Sequence, residues 1–145
     1  MNRQLLASAD VIDVTMIAKD AADAVEIGDP LALAPRPIVS ELMFTYNHRS
    51  YIAQAIDGLV AQVTRFPMEL LIGEDFSGDG TREVVEDYQR RYPHSIRVIS
   101  GSKNVGAQRN FQRALARARG VYIAFCDGDD WWIDRNKLQK QYELI

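Results

Sequence analysis

The stretch VYIAFCDGDDWW, residues 121–132, decides how the rest of this chain is interpreted. Residues 121–126 form an apolar run that predicts a buried strand of a parallel sheet. Asp127, Asp129 and Asp130 follow directly, at the end of the strand where open α/β sheets bind ligands. Like charges this close repel one another, and a divalent cation with oxygen ligands would relieve the repulsion. The turn is therefore a candidate metal site, and a solvated acidic turn beside buried tryptophans is the alternative.

Length, charge and cysteine content limit the class of protein. The 145 residues suit about one domain, and the net charge of -3 lacks the basic excess of a nucleic-acid-binding surface. Cys126 is the one cysteine, which excludes an internal disulfide. No run approaches the roughly 20 apolar residues of a membrane span, and acidic residues interrupt any secretory signal. We expect a cytoplasmic protein without a transmembrane segment, with peripheral association at a membrane left open.

Apolar runs and helical patterns alternate from Ile38 onwards. Strands are predicted at 38–44, 69–74, 96–99 and 121–126, with a helix after each. Ser50 is predicted to cap a helix whose apolar face runs from Ile52 to Val63. Four strand–helix repeats of this length predict an α/β fold with a mostly parallel sheet flanked by helices. Residues 1–37 are expected to form an N-terminal extension and linker, with short helices between Leu5 and Ile17.

Polar residues gather where the predicted strands end. The loops are 45–49, 75–81 and 127–130, and residues 104–110 open a helix whose backbone N–H groups and Arg109 suit a diphosphate. Asp75 is a candidate acceptor of a hydrogen bond from a base or sugar, or else a residue that caps its own turn. Tyr46 is a candidate for stacking on a base, or else part of the core. His48 is not assigned as a general base, because no nucleophile lies near it in sequence.

These loops together resemble the opening of the family-2 inverting glycosyltransferases. The resemblance covers about residues 37–142 and rests on several short motifs in the family's order and spacing. Its motifs are Phe44-Thr45-Tyr46-Asn47, Glu74-Asp75-Phe76-Ser77-Gly78-Asp79-Gly80-Thr81, Asn104-Val105-Gly106, Arg109-Asn110 and Asp127-Gly128-Asp129-Asp130-Trp131-Trp132.

The resemblance implies a Rossmann-like GT-A fold, a nucleotide-diphospho-sugar donor and a Mn²⁺ or Mg²⁺ ion. Transfer would go with inversion to an acceptor hydroxyl on a saccharide, a lipid-linked molecule or a protein. Thr45, Tyr46 and Asn47 would form the wall beside the nucleotide base. Asp75 resembles the aspartate that reads the uracil ring. The remaining assignments are Arg109 near the phosphates, Asp127 at the ribose or sugar, and Asp129 at the metal.

Two departures qualify the resemblance. Phe76 stands where the family usually has glycine, and its bulk is expected to affect nucleotide preference. The family's catalytic base lies after the acidic motif, so it is expected beyond Ile145, and residues 38–145 are expected to be an incomplete, donor-binding part of a transferase domain. A non-catalytic nucleotide-sugar-binding module is therefore an alternative. A nucleotidyltransferase is less supported, because residues 45–49 contain neither glycine nor lysine.

Overall fold

The computed structural model describes residues 23–145 of this chain, which form a five-stranded sheet with helices on both faces. Each strand is an apolar segment, and each of the first three helices follows a strand. The strands are β1 Val25–Ile27, β2 Val39–Thr45, β3 Met68–Glu74, β4 Ile96–Ser100 and β5 Tyr122–Asp127. The helices are α1 Ile52–Val60, α2 Thr81–Arg91, α3 Ala107–Leu115 and α4 Lys137–Tyr142, and a 3₁₀ turn covers Pro30–Ala32.

The order of the strands in the sheet is β1-β4-β3-β2-β5. Strands β2 to β5 pair in parallel, and β1 pairs antiparallel with β4. The chain thus moves outward from β2 through β3 to β4 and returns to place β5 on the other side of β2. The direction of strand order reverses at β2, and such a switch point is where open α/β sheets bind ligands. The predicted α/β class is confirmed.

Alternation of side chains along each strand distributes the core over both faces of the sheet. Helices α1 and α2 cover one face, where Met43 and Ile72 pack against Ile56 and Val85. Helix α3 covers the other face, where Ala114 packs with Ile99, Ala24 and Phe44. The return crossover to β5 therefore runs on the opposite face from the outward ones.

Strand β1 lies in the segment that the sequence predicts to be an extension and linker. Glu26 on β1 accepts hydrogen bonds of 2.7 and 2.8 Å from the guanidinium of Arg97 on β4. The backbone oxygen of Ala24 accepts a further one, 2.9 Å long, from Arg117. Residues 25–27 are thus part of the sheet. The helices predicted between Leu5 and Ile17 lie outside the described residues.

Two expectations about individual elements are wrong. The pattern of residues 121–126 predicts a buried strand, but β5 forms an edge of the described sheet. The side chains of Tyr122 and Phe125 are exposed, and that of Cys126 is buried. Composition alone does not separate an edge strand from a central one. The predicted helix 52–63 ends at Val60, which leaves Val63 exposed, and Ser50 does not cap it. Instead, the backbone oxygen of His48 accepts hydrogen bonds from the backbone N–H groups of Tyr51 and Ile52, where α1 begins.

Among the described residues, no helix has the length and apolar character that crossing a membrane requires.

Glu41 in the middle of β2 is fully buried, and neither carboxyl oxygen has a hydrogen-bond partner among the described residues. Burial raises the pKa of this carboxyl from 4.5 to about 8, and the nearby Lys137 ammonium opposes part of the rise. Burial also raises the pKa of the neighbouring Cys126 thiol to about 12, with the charge of Glu41 adding to it. Burial of such a carboxyl destabilises the folded state less when the group is protonated than when it is ionised.

The substitution Glu41→Gln tests this assignment, because glutamine keeps the size of the side chain and does not titrate. The folded pKa lies above the ordinary one, so the stability contributed by the protonated acid is complete below pH 4.5 and is lost as the pH rises through about 8. Guanidinium denaturation is expected to give similar unfolding free energies at pH 4.5. At pH 8 the variant is expected to be more stable than the wild type by about 3–5 kcal/mol.

The matched control is Glu83→Gln, which changes an exposed glutamate on α2. Its unfolding free energy is expected to follow the wild type at both pH values. If Glu41→Gln also follows the wild type across this range, Glu41 is not a buried neutral acid.

Candidate functional site

A cavity of about 430 Å³ opens at the carboxyl ends of β2 and β5, at the switch point of the sheet. Two cavities of similar volume, about 390 and 400 Å³, lie elsewhere and are lined mainly by apolar residues. A few convergent polar groups mark a binding site better than volume does. The residues that line the cavity at the switch point are Phe44, Thr45, Tyr46, His48, Asp75, Asn104, Gly106, Ala107, Asn110, Asp127 and Asp129.

The acidic turn after β5 forms one wall of this cavity. Asp127 pairs with Phe44 of β2 in the sheet, and the backbone N–H of Gly128 donates a 2.8 Å hydrogen bond to the carbonyl of Phe44. Asp127 and Asp129 are exposed and line the cavity. Asp130 instead lines a smaller recess with the two tryptophans. The turn therefore presents two of its three carboxylates to the cavity.

The acidic turn approaches the loop after β2 (residues 45–49, the β2 loop) so closely that residue 128 has to be glycine. A Cβ atom on Gly128 would lie 2.8 Å from both His48 Nδ1 and Thr45 Oγ1. Real Cβ contacts are almost never this short, so any larger residue would push the two loops apart. The middle residue of the acidic turn is thus fixed by packing, and the aspartates on either side are free to point away from it.

The donor set of the acidic turn fits a divalent cation only in part. Within residues 23–145, no group of three or more His, Cys, Asp or Glu side chains is arranged to hold a metal ion. Asp127 and Asp129 nevertheless supply hard carboxylate oxygens on one wall of the cavity. Mg²⁺ is commonly held by one or two carboxylates together with substrate phosphates. The residues present fit a shared site of that kind and do not fit a closed protein site.

Asp75 lies on the opposite wall, and its carboxylate organises the start of α3. It is 2% exposed, and it accepts hydrogen bonds from the backbone N–H groups of Val105 at 2.9 Å and Gly106 at 2.8 Å. Asn104 Nδ2 donates to the backbone oxygen of the same aspartate at 3.1 Å. The loop after β4 is therefore held against the end of β3 by one residue. Of the two roles considered for Asp75, capping a turn describes these contacts better, but the loop that it caps follows β4 and is not its own.

Arg113 on α3 is a site residue that the sequence analysis did not find. It is 2% exposed, and its guanidinium donates to Asp75 Oδ1 at 3.1 Å, to the Glu74 backbone oxygen at 3.0 Å and to Asn110 Oδ1 at 3.1 Å. Asn110 in turn donates to the Gly73 carbonyl at 2.7 Å. The spacing along the sequence could have indicated this position, because residues 110, 113 and 114 lie on one face of a helix and that face of α3 contacts the sheet.

The loop that follows Asp75 is held in an unusual backbone conformation. Phe76 has a φ of +61°, a left-handed value that bulky residues rarely adopt. The buried Glu74 carboxylate stabilises it by accepting from Ser77 N at 2.7 Å, Phe76 N at 3.3 Å and Ser100 Oγ at 2.9 Å. The Phe76 ring is left about half exposed beside the site.

Asn47 joins the β2 loop to the β3 loop and does not line the cavity. Its backbone N–H donates to Ser77 Oγ at 3.0 Å, and its Oδ1 accepts from Gly78 N at 3.1 Å. A φ of +55° at Asn47 makes this possible, and asparagine tolerates that conformation better than most residues. Its neighbours Thr45 and Tyr46 do line the cavity, Thr45 buried and Tyr46 about half exposed.

Arg109 lies on the first turn of α3 and is half-buried, but it is not among the residues that line the cavity. His48, to which the sequence analysis gave no role, does line it. The structure thus brings together Thr45, Tyr46, Asp75, Asp127 and Asp129, and it places Asn47 and Arg109 beside them.

Comparison with known families agrees with this arrangement. Residues 40–145 match the family model described as Glycosyl transferase family 2. The chain belongs to this family.

Relatives of the chain include a protein named as a glycosyltransferase. An uncharacterized protein of Mycobacterium tuberculosis is 42% identical over 107 residues, which cover 74% of this family 2 chain and 31% of that protein. TuaG of Bacillus subtilis, provisionally named as a teichuronic acid biosynthesis glycosyltransferase, is 36% identical over 110 residues, which cover 76% of this chain and 42% of TuaG. The chain therefore spans between 31% and 42% of the length of these two relatives.

Two solved structures resemble the fold of the family 2 chain. Staphylococcus aureus TarS 1–349 in complex with UDP aligns with a TM-score of 0.64 at 30% identity, over 74% of this chain and 31% of TarS. The mannosyltransferase PcManGT of Pyrobaculum calidifontis, in complex with GDP-Man and Mn²⁺, aligns with a TM-score of 0.63 over 86% of this chain and 37% of PcManGT. At 22% identity, PcManGT supports the fold alone. The predicted GT-A fold is confirmed.

The substitution Arg113→Met tests whether the buried ion pair supports the site. It would leave the Asp75 carboxylate buried without its guanidinium, and breaking such a pair from one side costs about 3–5 kcal/mol. We expect urea denaturation to show a loss of this size. Arg90→Met, at an exposed arginine of α2 that pairs with Asp87, is the control and is expected to change stability by less than about 0.5 kcal/mol. Equal effects of the two substitutions would contradict a special role for Arg113.

The substitution Gly128→Ala tests the packing of the acidic turn. The added methyl group would meet His48 and Thr45 at 2.8 Å, so overpacking is expected to lower the unfolding free energy by about 1–3 kcal/mol. Gly78→Ala is the matched control, because a Cβ at Gly78 has no neighbour within 4 Å. Urea denaturation of both variants measures the difference. A Gly128→Ala variant as stable as Gly78→Ala would show that the two loops do not touch as described.

Proposed function

We propose that this chain is the donor-binding part of a glycosyltransferase that moves a sugar from a UDP-linked donor to an acceptor hydroxyl with inversion. The observation that carries the proposal is the cavity at the switch point. Asp127 and Asp129 line it on one side and Asp75 lines it on the other, with the β2 loop between them. A nucleotide-diphospho-sugar carries an anionic diphosphate between its nucleoside and its sugar, so the base would lie toward Asp75, and the diphosphate and the sugar toward the acidic turn.

The β2 loop and Asp75 are proposed to hold the nucleotide base. The half-exposed ring of Tyr46 offers a stacking surface beside Thr45, and Asn47 holds that loop in place. An ionised carboxylate has about four lone-pair sites, and the structure shows three donors on Asp75. Capacity therefore remains to accept an N–H group, such as the one on a uracil ring.

The acidic turn and the start of α3 are proposed to hold the diphosphate end. Asp127 would contact the ribose or the sugar, Asp129 would hold Mn²⁺ or Mg²⁺, and Arg109 would lie near the phosphates. When bound, the cation would offset the charge that builds on the leaving nucleotide diphosphate. In support, TarS is known with UDP and with UDP-GlcNAc.

The acceptor side is proposed from the family alone. The acceptor would be a saccharide, a lipid-linked molecule or a protein, and the carboxylate base that takes its proton would follow Ile145. Phe76 is proposed to affect nucleotide preference, because its ring stands half exposed one residue after Asp75.

Calorimetric titration of the whole chain with UDP, with and without Mn²⁺, tests the metal assignment. Asp129→Asn removes the charge of the proposed ligand and keeps its size. We expect this substitution to abolish the Mn²⁺-dependent part of the UDP affinity, because an amide is a poor substitute for a carboxylate at a hard cation. Unchanged affinity with Mn²⁺ would overturn the metal role of Asp129.

Asp130→Asn is the matched control, since it changes an exposed aspartate of the same turn that does not line the cavity. It is expected to keep the Mn²⁺-dependent affinity. An equal loss in both variants would show that only the total charge of the turn matters. Slow hydrolysis of UDP-sugars by the wild-type chain would separate a competent donor site from a binding module.

A further inference from the structure

Three carboxylates line the cavity at the switch point, where the proposed ligand is an anion. Asp75, Asp127 and Asp129 all line it. Two backbone N–H groups at the start of α3, those of Val105 and Gly106, already donate to Asp75. A diphosphate placed beside the acidic turn therefore needs donors other than these two. His48 can donate such a hydrogen bond, and it lines the cavity next to the acidic turn.

The orientation of the His48 ring follows from its contacts. Its Nδ1 lies 3.3 Å from Thr45 Oγ1, within hydrogen-bonding distance, and Thr45 is 2% exposed. The close approach of Gly128 to the same Nδ1 shows that this side of the ring faces the protein. The other ring nitrogen, Nε2, is then the polar atom of His48 left to face the cavity.

The same contact bears on which nitrogen carries the proton. The Thr45 hydroxyl can donate to Nδ1 or accept from it, so the direction of this hydrogen bond follows the tautomer of the ring. When Nδ1 accepts, the neutral imidazole carries its hydrogen on Nε2. The protonated ring carries one there as well. Nε2 is a donor in both of these states.

We propose that His48 is a binding residue for the diphosphate of the donor, with Nε2–H donating to a phosphate oxygen. The inference rests on the proposed function and adds a residue to it. In the proposed tautomer, Nδ1 accepts from the Thr45 hydroxyl. A hydrogen bond to a charged group is worth roughly 10- to 100-fold in affinity.

Two conservative substitutions separate the two ends of the ring. The amide oxygen of His48→Asn can take the position of Nδ1 and accept from Thr45, whereas the amide nitrogen of His48→Gln reaches toward Nε2 and can donate there. Calorimetry in the presence of Mn²⁺ would compare UDP with uridine, which lacks the phosphates. We expect His48→Asn to lose roughly 10- to 100-fold in UDP affinity with no change for uridine, and His48→Gln to recover most of the loss.

The second histidine provides the control. His94 lies on the surface away from the cavity, with its Nδ1 against the backbone oxygen of Ala32, and His94→Asn is expected to bind UDP as the wild type does. A His48→Asn variant that keeps the preference for UDP over uridine would overturn the inference. An equal loss for both ligands, with a lower unfolding free energy, would also overturn it and indicate packing alone. If the wild-type chain binds no UDP, the proposed function itself fails.

Discussion

The buried ion pair between Arg113 and Asp75 joins the parts from which the candidate site is built. Asp75 ends β3 and holds the loop that starts α3, while Arg113 returns from α3 to Asp75 and to the backbone of β3. Both side chains are 2% exposed, so water does not compete for their hydrogen bonds. The pair therefore holds β3, the loop after β4 and α3 together at the cavity wall.

The order of the strands imposes the second constraint. Strands β2 and β5 are far apart in sequence but adjacent in the sheet, with Phe44 beside Asp127. This register places the acidic turn against the β2 loop, where Gly128 contacts Thr45 and His48. A turn of the same sequence at another position in the sheet would not contact the β2 loop. The chemistry of the turn thus depends on non-local pairing.

Local patterns in the sequence predicted the strands, the helices and the polar loops at strand ends, because periodicity and turn residues act within a few positions. Exposure of β5 could not be predicted, since Tyr122 and Phe125 would suit a central strand equally well. Arg113 and Glu41 were missed for a common reason. Charged residues are almost always exposed, so a sequence pattern does not predict a buried one. Arg113 is recognised by its contacts to Asp75 and β3, and Glu41 by its buried carboxyl without a partner among the described residues. The position of His48 likewise required the pairing of β2 with β5.

Electrostatics relates the two walls of the cavity to each other. The charge of Asp75 is balanced by Arg113, whereas Asp127 and Asp129 are exposed carboxylates on the opposite wall. A diphosphate beside them is repelled unless positive charge or hydrogen-bond donors intervene. Under the proposed function, a single carboxylate, that of Asp129, would leave most positions around a cation to the ligand's own oxygens and to water. Cation and nucleotide would then bind more tightly together than apart, and by thermodynamic linkage each would raise the affinity for the other by the same factor.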